Sequence, residues 1–170
     1  MTVAFDTERF HLRELSEADV TDRYLGWFRD PVATRYISSA AATRELSDLR
    51  KYVGERVGRD DVLFLGIFDR AGGLHIGNIK YEPLDSHQGY AIMGILVGDP
   101  AYRGKGVASE VLKVSAQWLR SHRGITQIIL GVGSDNRAAV RAYEAAGFVV
   151  ESSPHIPGSH PGAITMVLHL

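Results

Sequence analysis

Basic and apolar residues alternate over Arg9-Phe10-His11-Leu12-Arg13, as in a strand with one face on a core. Ser16, with Asp19 three residues on, has the form of a helix-capping box. Val20, Tyr24, Trp27 and Phe28 then fall at helical spacing, which predicts a helix over residues 19–29 ended by Asp30-Pro31. A second helix fits 44–57, with Leu46, Leu49, Val53 and Val57 on one side and Gly58 as its stop. The period changes at Val62. A dense apolar run to Phe68, turn chemistry at Arg70-Ala71-Gly72-Gly73 and a renewed run from Leu74 to Tyr81 predict a hairpin. Pro83 to Gln88 reads as a connection, and Tyr90 to Val97 as a buried central strand closed by Gly98-Asp99-Pro100.

Helical spacing returns with Val107, Val111, Leu112, Trp118 and Leu119, and Gly124 supplies the C-terminal stop. A strand over Thr126–Val132 follows, then a short helix from Arg137 to Ala146 capped by Asp135 or Asn136, and a strand at Gly147-Phe148-Val149-Val150. Residues 152–162 hold two proline-containing turns, and Ile164, Met166, Leu168 and Leu170 alternate as a closing strand. This order of strands and helices implies an α/β (α+β) fold with a mixed sheet. Neither a repeat nor a low-complexity tract interrupts it, and 170 residues suit a single domain over 1–170 with a recognisable core of about 7–170.

Composition narrows the function. The chain is 45% hydrophobic and 23% charged, as in an ordinary globular protein. Lys and Arg number 19 against 20 Asp and Glu, so the whole surface offers no field that would hold nucleic acid, and any anion site has to be local. The absence of cysteine removes disulfides, thiolate zinc sites and a cysteine acyl intermediate together. No apolar run approaches the ~20 residues that cross a membrane, and the start, Met1 to Arg9, lacks a signal-peptide pattern, so a cytoplasmic location without membrane partners is expected. The seven histidines lack metal-pair spacing, and no metal is expected; His155 and His160 share a Pro-Gly-rich loop.

The local anion site has one strong candidate. Tyr102-Arg103-Gly104-Lys105-Gly106-Val107-Ala108 lies between the central strand and a helix start, where unpaired N–H groups and the helix dipole favour phosphate. Gly104 and Gly106 let the anion approach, and Arg103 and Lys105 add positive charge. A Walker loop needs four residues between its first glycine and its Gly-Lys pair, whereas Gly98 to Gly104 leaves five and Gly106 follows Lys105. A dinucleotide fingerprint asks for Gly or Ala where Ser109 stands, in an early strand-helix-strand unit. Neither fits.

Arg103, Gly106 and Ala108 do match the Arg/Gln-x-x-Gly-x-Gly/Ala cofactor motif of the GNAT family of N-acetyltransferases, and Asn136, Ala139, Tyr143, Gly147 and Phe148 reproduce the run that follows the next strand in that family. Residues 7–13 and Trp27-Phe28-Arg29-Asp30-Pro31 resemble the branch with the ribosomal-protein acetyltransferases. The resemblance implies a mostly antiparallel twisted sheet flanked by helices, with a splayed parallel pair, Tyr90–Val97 and Thr126–Val132, that holds acetyl-CoA. It implies that the backbone of Ile95, Leu96 and Val97 pairs with the pantetheine arm, and that N–H groups of Arg103, Gly104, Lys105, Gly106, Val107 and Ala108 hold the pyrophosphate. Asn136 and Tyr143 join the cofactor site, and Tyr143 is the expected proton donor to the leaving thiolate.

An alkyl ammonium near pKa ~10 must lose a proton before it attacks, and a strand N–H can stabilise the oxyanion. Many relatives carry a glutamate where this chain has Ile92; Glu82, Asp85 and His87 lie just upstream as weaker candidate bases. Each residue also has a plainer role: Tyr143 can pack beside Ala139 and Ala146, Asn136 can cap, and Trp27 and Phe28 can fill the core. The expected acceptor partner is a small-molecule amine or a protein N-terminus, the acyl group is acetyl or larger, and a homodimer is compatible with such a chain. A non-catalytic acyl-CoA-binding domain is the alternative.

Overall fold

Antiparallel pairing builds most of the molecule. The computed structural model describes residues 2–35, 37, 42–156 and 161–170. Its eight strands are β1 (Ala4–Asp6), β2 (Phe10–Glu14), β3 (Leu63–Asp69), β4 (His75–Asp85), β5 (Tyr90–Val97), β6 (Gln127–Gly133), β7 (Val149–Val150) and β8 (Ala163–His169). They form one mixed sheet in the order β1-β2-β3-β4-β5-β6-β8-β7, in which only β5 and β6 run parallel. The helices are α1 (Asp22–Trp27), α2 (Pro31–Thr34), α3 (Leu46–Gly54), α4 (Val107–Arg123) and α5 (Arg137–Ala145). None of them is long and apolar enough to cross a membrane.

Each face of the sheet has its own core. Val107, Val111, Leu112, Ala116 and Leu119 of α4 pack on the face carrying Leu65, Ile79, Ala91, Met93, Ile128 and Leu130. The second cluster joins Leu15, Val20, Tyr24, Leu25, Trp27, Leu49 and Val53 to Phe64, Phe68 and Leu96, so α1 and α3 cover the opposite face. Strand alternation thus sorts β5: Met93, Ile95 and Val97 point to α4, and Tyr90, Ile92, Gly94 and Leu96 point the other way.

Four features depart from the pattern along the chain. β1 pairs Phe5 with Leu12 and stacks the Phe5 ring on Trp118 at 6.1 Å, so a stretch without a strand signal of its own is organised by its tertiary partners. The helix expected over 19–29 is two pieces. Ser16 and Asp19 close a 3-10 turn over Glu17–Asp19, and Thr21 then caps α1 by accepting from Tyr24 N at 3.2 Å. Asp30-Pro31 does not merely end a helix: the Asp30 carboxylate accepts from Val32 N at 2.9 Å and Pro31 takes the first helical position of α2, where its missing N–H costs nothing. β4 also outlasts Tyr81, because a register shift between Tyr81 and Leu84 accommodates Pro83, which has no N–H for the ladder.

Candidate functional site

The sheet opens at its centre. β5 and β6 pair only over Tyr90↔Gln127, Ala91↔Ile128 and Ile92↔Ile129. Beyond that point β5 stays on β4 as far as Val97, and β6 stays on β8 as far as Gly133, so the two strands diverge. Gln127 N donates to Gly89 O at 3.1 Å, and Gly98 N donates to Ile76 O beside β4 at 3.0 Å. Backbone direction alternates along a strand, so the odd-numbered residues of β5 face β6 and the even-numbered ones face β4. Ile95 and Val97 therefore turn backbone groups into the opening. Leu96, expected to contribute with them, is turned towards Asn78 of β4 instead.

Two glycines leave the floor of the opening bare on the α1–α3 side between the ladder and Leu96. Gly94 follows Ile92 on that face of β5, and Gly131 follows Ile129 on β6. A Cβ built on either glycine would meet nothing within 4 Å. Ile92 and Ile129 close the floor where the ladder begins.

The loop at the C-terminal end of β5 comes next. Gly104 and Gly106 have φ of +68° and +73°, a region that glycine enters without the Cβ clash other residues suffer. Gly106 also starts α4, which has no side-chain cap. The first intrahelical bond runs from Glu110 N to Gly106 O, so Val107, Ala108 and Ser109 offer their N–H groups outward. Val107 contributes only its backbone, since its side chain is buried. Arg9 donates through Nη2 to Lys105 O at 3.0 Å and pairs with Glu110 at 2.7 Å. In a trans peptide the next N–H points opposite that carbonyl, so Gly106 N–H faces away from Arg9.

Arg103 behaves differently from the expectation that it adds free charge. Its guanidinium donates to Val97 O at 3.0 Å, Gly98 O at 2.8 Å and the Asp30 carboxylate at 2.7 Å. That contact and the helix N–H of Val32 hold the Asp30 carboxyl below the usual range. Arg103 thus ties the loop to the start of α2, and Lys105, which is exposed, is the loop's cation without an ion pair among the described residues. Arg103→Gln is expected to lower the midpoint of urea unfolding, since it removes the charge-assisted contact with Asp30. A stability unchanged within error would return Arg103 to the role of a free cation.

Tyr143 lies on α5, half-buried, with its ring 5.6 Å from that of Phe148. Burial pushes its phenol above the ordinary tyrosine range. The hydroxyl has no hydrogen bond among the described residues, and no buried side-chain polar atom lacks a partner, so this oxygen is reachable from solvent. Asn136 caps α5, accepting from Ala139 N at 3.3 Å, which leaves its amide NH2 for other partners. Trp27 is core: it packs beside His75 at 4.9 Å and fills the space over Gly98.

The two upstream carboxylates are occupied. Burial raises the Glu82 carboxyl, but Lys80 and Arg56, both at 2.8 Å, outweigh it and hold Glu82 below the usual range. Asp85 caps the turn between β4 and β5 by accepting from His87 N and Gln88 N. His155 stacks on Tyr90 at 3.6 Å, whereas His160 and the turn at Pro157 lie outside the described residues. Among the described residues no group of three His, Cys, Asp or Glu could hold a metal ion.

The model of the acetyltransferase (GNAT) domain matches residues 9–149. The chain belongs to the GNAT family. A mycothiol acetyltransferase of Corynebacterium glutamicum is 34% identical over 93 residues, which are 55% of this chain and 30% of that protein, so the chain matches less than a third of that relative's length. A GNAT-family acetyltransferase from Bacillus anthracis superposes with a TM-score of 0.81 over 98% of both chains at 17% identity. RimL, a ribosomal-protein α-N-acetyltransferase in complex with coenzyme A, gives 0.81 over 99% of this chain and 98% of its own at 14% identity. At such identities these two solved structures share the fold with this GNAT chain.

Seen as a GNAT domain, the site also includes residues the sequence did not single out. Gly131 sits mid-strand without a turn signal, and the glycine pair emerges only when β5 and β6 are brought together. Asp30 reads locally as a helix breaker, and its contact with Arg103 spans 73 residues.

Proposed function

We propose that this GNAT chain is an acetyl-CoA-dependent N-acetyltransferase that moves an acetyl group directly to a primary amine of a small molecule, such as an amino sugar or amino acid derivative, or of a protein N-terminus. The divergence of β5 from β6 beside an uncapped α4 carries this reading, since it puts unpaired strand groups and helix N–H groups along one continuous path. Acetyl-CoA supplies a thioester-activated acyl group. Ile95 through its backbone and Val97 through its N–H would hold the pantetheine arm, and Gly106, Val107, Ala108 and Ser109 would hold the pyrophosphate, with Gly104 and Lys105 beside them. Arg103 keeps this loop in place, and the Asn136 amide and the Tyr143 phenol close the path from α5. A strand N–H at Ile95 would steady negative charge on the acyl oxygen. Tyr143 would give its proton to the leaving sulfur. Relatives that carry the names mycothiol acetyltransferase and ribosomal-protein α-N-acetyltransferase support both a small-molecule and a protein acceptor.

The test begins with the donor. Acetyl-CoA at a hundredfold its Kd is expected to add about 2.7 kcal/mol to the folded state. For a chain of this size that raises Tm by about 5–10 °C. An unmoved Tm at millimolar acetyl-CoA would remove the cofactor assignment. A panel of primary amines with detection of released thiol then finds the acceptor, and the absence of cysteine means that a thiol reagent reads only the coenzyme. Binding without thiol release from any amine would favour the acyl-CoA-binding alternative.

A further inference from the structure

We infer that His155 is the group that takes the proton from the acceptor's ammonium, a role that rests on the acetyltransferase reading above.

The argument starts from a gap. Ile92 stands on the floor of the opening where a carboxylate would serve, and the acids upstream are engaged elsewhere: Glu82 with Lys80, Arg56 and Arg59, and Asp85 with its own turn. His87, in that same exposed turn, lies before the start of β5. The ammonium still has to be neutralised before its nitrogen can attack.

The chain beyond β7 brings a base to that place. β7 is the outermost strand, and β8 and β6 separate it from β5. His155 nonetheless lies face to face with Tyr90, its ring 3.6 Å from the tyrosine ring and inclined by 12°. Residues 151–155 therefore cross β8 and β6 on one side of the sheet. Strand alternation says which side. Tyr90, Ile92 and Gly94 share it, and Ile129 and Gly131 share it on β6, so the segment crosses the same face that the two glycines leave open. Along a strand, residues two apart on one face are separated by roughly 6.6–6.8 Å. The imidazole thus stacks on the side chain that stands one step before Ile92 and two steps before Gly94 on this face.

The stack is also anchored. Glu151 N donates to Thr165 O at 3.1 Å, Ile156 N donates to Ser153 O at 3.3 Å, and His155 N donates to Ser153 Oγ at 3.3 Å. These bonds consume backbone groups and leave the ring nitrogens alone: among the described residues the imidazole makes no hydrogen bond and no ion pair. Tyr90 is the side chain packed on it. A half-buried imidazole with both nitrogens unengaged, fixed by a ring at the closed end of the opening, can accept a proton directly or through one water.

The protons balance. His155 takes one from the ammonium, and the freed lone pair forms the N–C bond while the C–S bond breaks with its electron pair on sulfur. Tyr143 gives the sulfur a proton. The second proton, shed by the nitrogen as it becomes an amide, restores the phenol through solvent, and His155 passes the first to bulk water. One proton is released per turnover.

The test uses the full chain with acetyl-CoA and three probe amines, an alanyl-alanine dipeptide, glucosamine and spermidine, read by thiol release. Wild type defines the reading beneath: no turnover of any amine sinks the acetyltransferase assignment for these acceptors and leaves His155 without its function. Given turnover, His155→Gln and His155→Ala are each expected to lower kcat on the order of 10²-fold, the scale of general-base loss, with acetyl-CoA affinity and Tm unchanged. Added imidazole is expected to restore a substantial part of the His155→Ala rate, saturably, and to leave wild type unaffected, which a merely structural role would not produce. Both variants within threefold of wild type, or a slow His155→Ala enzyme that imidazole does not rescue, would overturn the inference. Tyr90→Ala, which removes the ring beneath the imidazole, is expected to cost rate as well and to be rescued less well, since it displaces rather than deletes the base.

Discussion

Gly94→Val is expected to lower kcat/KM on the order of 10²-fold or more while leaving the fold intact. Gly94 lies in extended backbone, so valine enters without conformational strain, and its Cβ would meet nothing within 4 Å. Strand propensity then favours valine over glycine, and Tm is expected to hold or rise. The added methyl groups stand in the opening between β5 and β6, beside the backbone of Ile95. A displacement of about 1 Å in the reacting groups costs roughly 10²-fold, and that is the scale expected of two methyls added where Gly94 and Gly131 leave the floor bare. Gly26→Ala supplies the control, because Gly26 also has nothing within 4 Å but lies exposed on α1. Equal activity of Gly94→Val and wild type, with both folded, would show that neither donor nor acceptor passes over Gly94.

Position 106 tests the same site less cleanly. Gly106 has a φ of +73°, where a β-branched residue is strained whatever the space around it. A valine there harms folding and binding together. The glycine of the family motif is thus required first by the backbone that starts α4, and the anion-facing N–H groups follow from that backbone. Gly94 separates the two effects because its conformation asks for no glycine at all.

The elements that were legible along the chain are those whose signals are local. β5 lies where a buried run bounded by turn residues predicts it, Tyr90–Val97, and α4 runs from Gly106 to Gly124, both of which adopt the left-handed conformation that marks its ends. The loop from Arg103 to Ala108 was legible for the same reason: glycines, a helix start and basic residues are adjacent. What stayed hidden depends on partners far away in sequence. β1 exists because β2 pairs with it. The charge of Arg103 is spent on Asp30, a residue whose local reading is a turn, and two carbonyls at the end of β5 absorb the rest of its donors. The Tyr90–His155 stack joins residues 65 apart across two intervening strands, and no periodicity reports it.

Tyr143→Phe is expected to reduce turnover by roughly 10²–10⁴-fold, the range of general acid catalysis. The substitution keeps the ring and removes one hydroxyl, so the packing against Phe148 survives. The structure makes this comparison clean in a way that the sequence does not guarantee. Had the hydroxyl bonded a core partner, its removal would strand a buried polar group and cost about 1–3 kcal/mol of stability. It bonds none among the described residues, and its oxygen is open to solvent, so Tm and acetyl-CoA affinity are expected to stay near those of wild type. Burial of the ring also keeps the phenol in its protonated form, which is the form a proton donor needs. Rates have to be measured in single turnover, where a slow product release cannot conceal a slower chemical step. A Tyr143→Phe rate within about threefold of wild type under those conditions is too small a loss for a general acid, and it would leave solvent to protonate the sulfur and return Tyr143 to the packing of α5.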